Sequence, residues 1–117
     1  MTNTKYTEYL TFMSARERIM GNHSLSHKEA LILRTLMIFF IAHKKITVSD
    51  LLAMKEIGSP ATVHSFLKKL IQNNFVVTEL DKKDNRIKYL CPATKAIKLF
   101  AKLTDSFIQT KSKSEIH

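Results

Sequence analysis

The chain has 117 residues, 19 Lys+Arg against 10 Asp+Glu, a net charge of +9 and a hydrophobic fraction of 44%. That is one domain's worth of chain with enough apolar residues for one core, which excludes a disordered polyelectrolyte. One cysteine and 2 glycines exclude an intrachain disulfide framework, a Cys-rich zinc module and a glycine-rich phosphate loop.

Residues 4–20 have helical spacing, with Tyr6, Tyr9, Leu10, Met13 and Met20 on one side. Gly21-Asn22 fits a helix C-cap. Ser26 and Glu29 form an S-x-x-E capping box, which starts a second helix that runs to about His43. Ile46-Thr47-Val48 is a short β-prone segment. Ser49 caps a third helix, 49–57, with Asp50 in its first turn. Ser59 at N-cap and Pro60 at N1 start a fourth helix that stops at Asn73-Asn74, because Pro has no N–H to leave unsatisfied there and Asn tolerates the left-handed conformation.

The period then changes to that of strands. Phe75–Leu80 and Arg86–Cys91 flank the charged turn Asp81–Asn85, with Ile87, Tyr89 and Cys91 toward the core and Pro92 breaking the strand. Residues 93–110 form a last amphipathic helix, and 111–117 a polar, flexible tail. The fold class is mainly α with a small β-hairpin wing. It is a winged helix-turn-helix with extra N- and C-terminal helices, in a single domain over 1–117. The helix-turn-helix is 49–57 and 60–73, joined through Gly58.

The charge is uneven. Residues 1–57 hold 8 basic and 5 acidic side chains, and 58–117 hold 11 and 5. A local basic excess points to a polyanionic partner. On the fourth helix Val63, Phe66, Leu67, Leu70 and Ile71 share the core face. The opposite face carries Ala61, Ser65, Lys68, Lys69 and Gln72, with Thr62 and His64 at its edges. Small side chains near the N-terminus let the helix approach base edges, and lysines farther along meet phosphates. Lys82, Lys83, Arg86 and Lys88 make the hairpin a basic wing, with Arg86 suited to the narrow minor groove. The plain alternatives are an amphipathic helix with a solvated face and a charged turn that deters strand pairing. Helix and wing together favour nucleic acid. The candidate DNA-binding residues are Ser59, Ala61, Thr62, His64, Ser65, Lys68, Lys69, Lys82, Lys83, Arg86 and Lys88.

The stretch from Leu25 to Leu103 resembles the DNA-binding core of MarR-type transcriptional regulators. The similar segments are Ile46–Leu52, Ser59–Val63, Leu67–Leu70, Asn74–Val76 and the wing Asp81–Arg86. The resemblance implies that Asp84 braces the wing and Arg86 contacts the minor groove. It also implies a homodimer, formed through helices 4–20 and 93–110, on a pseudo-palindromic operator in double-stranded DNA. Two departures stand out. His64 and Ser65 occupy places where the family often has Ser/Thr then Arg, and one C-terminal helix replaces a long final pair. They motivate a second hypothesis, a winged-helix protein-interaction module in a replication or regulatory complex. Equally, both flanking helices could simply pack on their own core.

Other chemistry is thin. His23 and His27 have i, i+4 spacing but no Cys or carboxylate cluster joins them, so no metal site is expected. Cys91 reads as a buried structural thiol, with a redox sensor as the minority reading because Lys88 is near in sequence. No nucleophile–base set or carboxylate pair can be assembled, so neither an enzyme nor a cofactor is expected. Met1–Met20 holds no apolar run of signal-peptide length, and Leu31–Ala42, interrupted by Arg34 and Thr35, is short of the ~20 residues that span a bilayer. The expectation is a cytoplasmic, nucleoid-associated protein with no membrane partner. A small-molecule effector stays open and unnamed.

Overall fold

The computed structural model describes residues 4–116. The element order is α1 (Thr4–Asn22), α2 (His27–Ile41), α3 (Val48–Leu52), α4 (Pro60–Gln72), β1 (Val76–Leu80), β2 (Lys88–Pro92) and α5 (Thr94–Ile116). The chain divides into two compact units. One is Ser26–Ile97; the other joins the described parts of Met1–Leu25 and Lys98–His117.

Unit Ser26–Ile97 is a winged helix-turn-helix. Its start is the expected capping box: Glu29 N donates to Ser26 Oγ at 3.2 Å, and Ser26 N donates to Glu29 Oε1 at 3.1 Å. Helix α2 packs on α4 and β2, α3 packs on α4 and β2, and α4 packs on β1. Ile32, Leu33, Leu36, Ile46, Leu51, Val63, Leu70, Phe75 and Val76 are almost wholly buried among these elements. Full burial of one such side chain is worth about 1.5–3 kcal/mol, so this cluster is the main force that holds the helix-turn-helix in shape. On α4 the predicted inner face is largely right. Val63, Leu67 and Leu70 are buried, while Phe66 and Ile71 are half-buried.

The hairpin is antiparallel, with Val76 opposite Pro92, Thr78 opposite Leu90 and Leu80 opposite Lys88. The Ile46-Thr47 segment joins its free edge. Leu90 N donates to Ile46 O at 2.9 Å, and Thr47 bridges Tyr89.

This register corrects two expectations. The side chains of β2 that reach the core are Leu90 and Pro92, so Tyr89 and Cys91 lie on the other face and are half-buried. Cys91 is therefore not the buried thiol expected. Pro92 does not break the strand either. Ala93 N donates to Phe75 O at 2.9 Å on the β1 side, whereas Leu90 N points to the Ile46 edge. By alternation Pro92 falls on that edge too, beyond the bridge, where a missing N–H removes no ladder bond.

The helix boundaries bring further corrections. The N-cap of α3 is Thr47, not Ser49: Asp50 N donates to Thr47 Oγ1 at 2.9 Å, and Thr47 N donates to Asp50 Oδ2 at 3.0 Å. Helix α3 ends at Leu52, short of the expected 57, and the connection to α4 is a run of turns in which Ile57 is buried. Gly21 lies inside α1, which ends at Asn22, with Ser24 as the left-handed residue of the stop. Leu25 N and Ser24 N donate to Met20 O and Gly21 O at 3.3 and 3.0 Å, the paired bonds of a Schellman stop, with Ser24 at φ 55°. Helices α2 and α4 end in the same way, at His43 (φ 56°) and Asn74 (φ 64°). Helix α5 continues beyond 110 to Ile116 because Lys111–Glu115 contains no breaker; His117 lies outside the described residues.

In the second unit, Phe12 and Phe107 meet edge to face with ring centroids 5.3 Å apart. Tyr6, Tyr9 and Leu10 of α1 and Phe107 and Ile108 of α5 are each about half exposed or more. No helix among the described residues is long and apolar enough to cross a membrane.

Candidate nucleic-acid interface

Helix α4 begins where the sequence says it does. Thr62 N donates to Ser59 Oγ at 3.3 Å, and the Ser59 hydroxyl donates to Thr62 Oγ1 at 2.9 Å. Ser59 is thus occupied as the cap. The turn before it is fixed from behind, since Lys28 Nζ donates to Ile57 O. Lys28 joins α2 to the turn that leads into α4; no local sequence signal marks a contact between residues this far apart.

All eleven sequence-predicted site residues are exposed. They do not all converge. His64 and Lys68 of α4 face Arg86 and Lys88 of the wing across an open groove of about 620 Å³. Val48, Leu67 and Ile71 supply its apolar lining, and Ser49, Gln72 and Thr78 add neutral polar groups. These three add to the predicted set; Gln72 belongs to the outer face of the helix. Ser49 and Thr78 become neighbours of α4 only through the fold. Ser59, Ala61, Thr62 and Ser65 lie outside this groove, on the α4 surface that precedes it. Lys69 also lies outside, with Nζ 5.5 Å from the centre of the Phe66 ring. Lys82 and Lys83 occupy the wing tip.

The wing is held by two carboxylates. Asp81 Oδ2 accepts from Lys83 N and Asp84 N, both at 3.0 Å, and Asp81 Oδ1 accepts from the Tyr89 hydroxyl at 2.8 Å. Asp84 Oδ1 accepts from Arg86 N and Arg86 Nε at 3.0 Å, while Asp84 Oδ2 accepts from Arg86 Nη2 at 3.1 Å. Hydrogen bonding to the charged form lowers a carboxyl pKa. The Tyr89 hydroxyl, then the Lys83 and Asp84 amides, hold Asp81 below its ordinary value, and Arg86 does the same for Asp84. Asp84 in turn raises the pKa of Arg86, and Asp81 raises that of Tyr89. Arg86–Asp84 is the one ion pair among the described residues, so Lys68, Lys82, Lys83 and Lys88 have no acidic partner there. The surface offers bidentate guanidinium, point-charge ammonium and neutral donors, the set that binds phosphate oxygens and base edges.

No family model and no curated protein matches the chain in sequence. Solved structures match in fold. The Staphylococcus aureus MepR–DNA complex is similar with a TM-score of 0.73 at 19% identity, over 86% of this chain and 73% of that one. The transcriptional regulator Tm0710 of Thermotoga maritima gives 0.69 at 13% identity, over 84% and 66%. The YusO protein of Bacillus subtilis gives 0.63 at 16%, over 90% and 71%. The shared architecture is the winged helix-turn-helix.

Proposed function

We infer that this chain is a MarR-type transcriptional regulator that binds double-stranded DNA sequence-specifically. The observation that carries the reading is the groove in which exposed Lys68, Lys88 and His64 of two elements face Arg86. A winged helix with that charge between recognition helix and wing suits a duplex whose phosphate strand passes between them. The same fold has been captured on DNA in the S. aureus protein. Helix α4 would enter the major groove by its small N-terminal residues Ala61, Thr62 and Ser65, and Arg86 would reach the minor groove. Lys68, Lys69, Lys82, Lys83 and Lys88 would supply salt-dependent affinity. The protein would act in the cytoplasm, as a binding protein and not as an enzyme. The half-exposed aromatic and aliphatic side chains of α1 and α5 support a homodimer, because a large apolar surface of this kind marks an association site. Nothing in the arrangement favours the protein-interaction module.

Fluorescence anisotropy of a labelled genomic-fragment pool and of the chain's own promoter, across a salt series, tests this. If all six basic side chains from Lys68 to Lys88 meet phosphates, the log–log salt slope is about −5 per protomer. Preference for one fragment supplies the operator. Weak binding with neither slope nor preference overturns the reading.

A further inference from the structure

We propose that Tyr89 is a positioning residue for DNA binding, holding the wing tip to the helix-turn-helix through Asp81. The proposal rests on the DNA-binding reading and deepens it. Tyr89 stands at a junction. Its backbone bridges Thr47, the residue whose side chain caps α3. Its hydroxyl donates to Asp81 Oδ1, and the other oxygen of the same carboxylate receives the Lys83 and Asp84 amides. Asp84 then grips Arg86. A chain of hydrogen bonds therefore runs from the Tyr89 hydroxyl through Asp81 and Asp84 to the guanidinium at the wing, and the bond from Leu90 N to Ile46 O beside Tyr89 joins its strand to the segment that caps α3. Lys45 Nζ, 4.8 Å from the ring centre, presses on Tyr89 from the α2–α3 connection and fixes where the ring lies.

A two-stranded ribbon is flexible by itself and twists readily. Of the bonds that shape the turn, Asp81 N to Ile87 O and Ile87 N to Asp84 O are internal to it. Among the described residues, the Tyr89–Asp81 bond ties the turn's side chains back to the strand that touches α3. A phosphate strand between α4 and the wing needs a fixed width, and a one-bond change at its far wall alters that width without removing charge.

Tyr89→Phe keeps the ring, the packing and the Lys45 contact and deletes the hydroxyl alone. Duplex affinity is expected to fall about three- to tenfold, the scale of one ordinary hydrogen bond, with the salt slope unchanged because no cation is lost. In an Arg86→Ala background the same substitution should cost little more, since both act through one contact. A readout without DNA isolates the brace. Hydrogen exchange of the Lys83 and Asp84 amides should accelerate in Tyr89→Phe, while that of Leu90, bonded to Ile46 O, stays put. Unchanged exchange at Lys83 and Asp84 overturns the brace, whatever the DNA result. Faster exchange with unchanged affinity overturns its role in binding. Wild-type protein that binds no duplex overturns the functional reading on which the role depends, and the exchange data still decide the brace.

Discussion

Arg86 and Asp84 form a two-point pair only two residues apart, Nε to Oδ1 at 3.0 Å and Nη2 to Oδ2 at 3.1 Å, with the guanidinium side chain 91% exposed. A side chain this exposed contributes little to the fold, because solvent screens an exposed pair. The pairing instead limits the directions in which the fork can point before DNA arrives.

Replacing Arg86 with Ala should therefore separate binding from folding. The urea midpoint is expected to stay within the small range of surface substitutions. Duplex affinity should fall by about 1–3 kcal/mol, and the salt slope should shrink by about 1. Anisotropy across a salt series, beside a urea melt of the same preparation, checks both. Unchanged affinity removes Arg86 from the interface.

The wing should also resist acid more than ordinary carboxylates would. Asp81 and Asp84 are held below the 3.8 of an unperturbed side chain by their hydrogen bonds. A lowered native pKa stabilises the fold at every pH above the unfolded value and is lost as pH falls through the native one. The brace should thus survive mild acid and open only below 3.8. Carboxyl carbon shifts followed by NMR from neutral pH downward should place the midpoints of Asp81 and Asp84 below 3.8. Midpoints at or above 3.8 would contradict the geometry.

Much of this was legible in the chain. Ser26-x-x-Glu29 and Ser59-Pro60 are local signals, and both helix starts fall where they point. The basic wing and the outer face of α4 follow from charge and period alone. The misses were non-local or competitive. The parity of β2 depends on a register set by Val76 and by the Ile46 edge, which the alternation Ile87, Tyr89, Cys91 cannot reveal. Ser49 looked like a cap because it precedes Asp50, but Thr47-x-x-Asp50 satisfies two amides reciprocally and so wins. The Tyr89–Asp81 tie joins residues eight apart across a turn, and nothing in the local sequence marks it.

The helix stops yield a stability prediction. His43 occupies the left-handed position of its Schellman motif at φ 56° and is exposed. Glycine removes the Cβ penalty there while keeping the backbone bonds Lys44 N to Phe39 O and His43 N to Phe40 O at 2.9 and 3.1 Å. His43→Gly should stabilise by about 0.5–1 kcal/mol, net of its entropic cost in the unfolded chain. Asn74→Gly should gain less, since Asn tolerates this region. Thermal melts of both variants test the order, and a lower melting point for His43→Gly contradicts the assignment of the stop.

The two candidate caps of α3 are separable by a pair of alanine substitutions. Thr47 Oγ1 receives the Asp50 amide and the Asp50 carboxylate returns to Thr47 N, so Thr47→Ala removes one half of the box and leaves the Asp50 amide without its side-chain acceptor. Loss of an N-cap costs about 1 kcal/mol. Helix α3 has only five residues, too few to sustain itself, so the loss should be felt along the whole helix. Ser49 lies two residues further along and lines the groove, and Ser49→Ala should leave stability within about 0.5 kcal/mol. If Ser49 contacts DNA, the same change weakens duplex binding. Urea denaturation and anisotropy on both variants should thus give opposite patterns: Thr47→Ala is felt mainly in stability and Ser49→Ala mainly in binding. A stability loss confined to Ser49→Ala would return the cap to Ser49 and move the start of α3 by two residues.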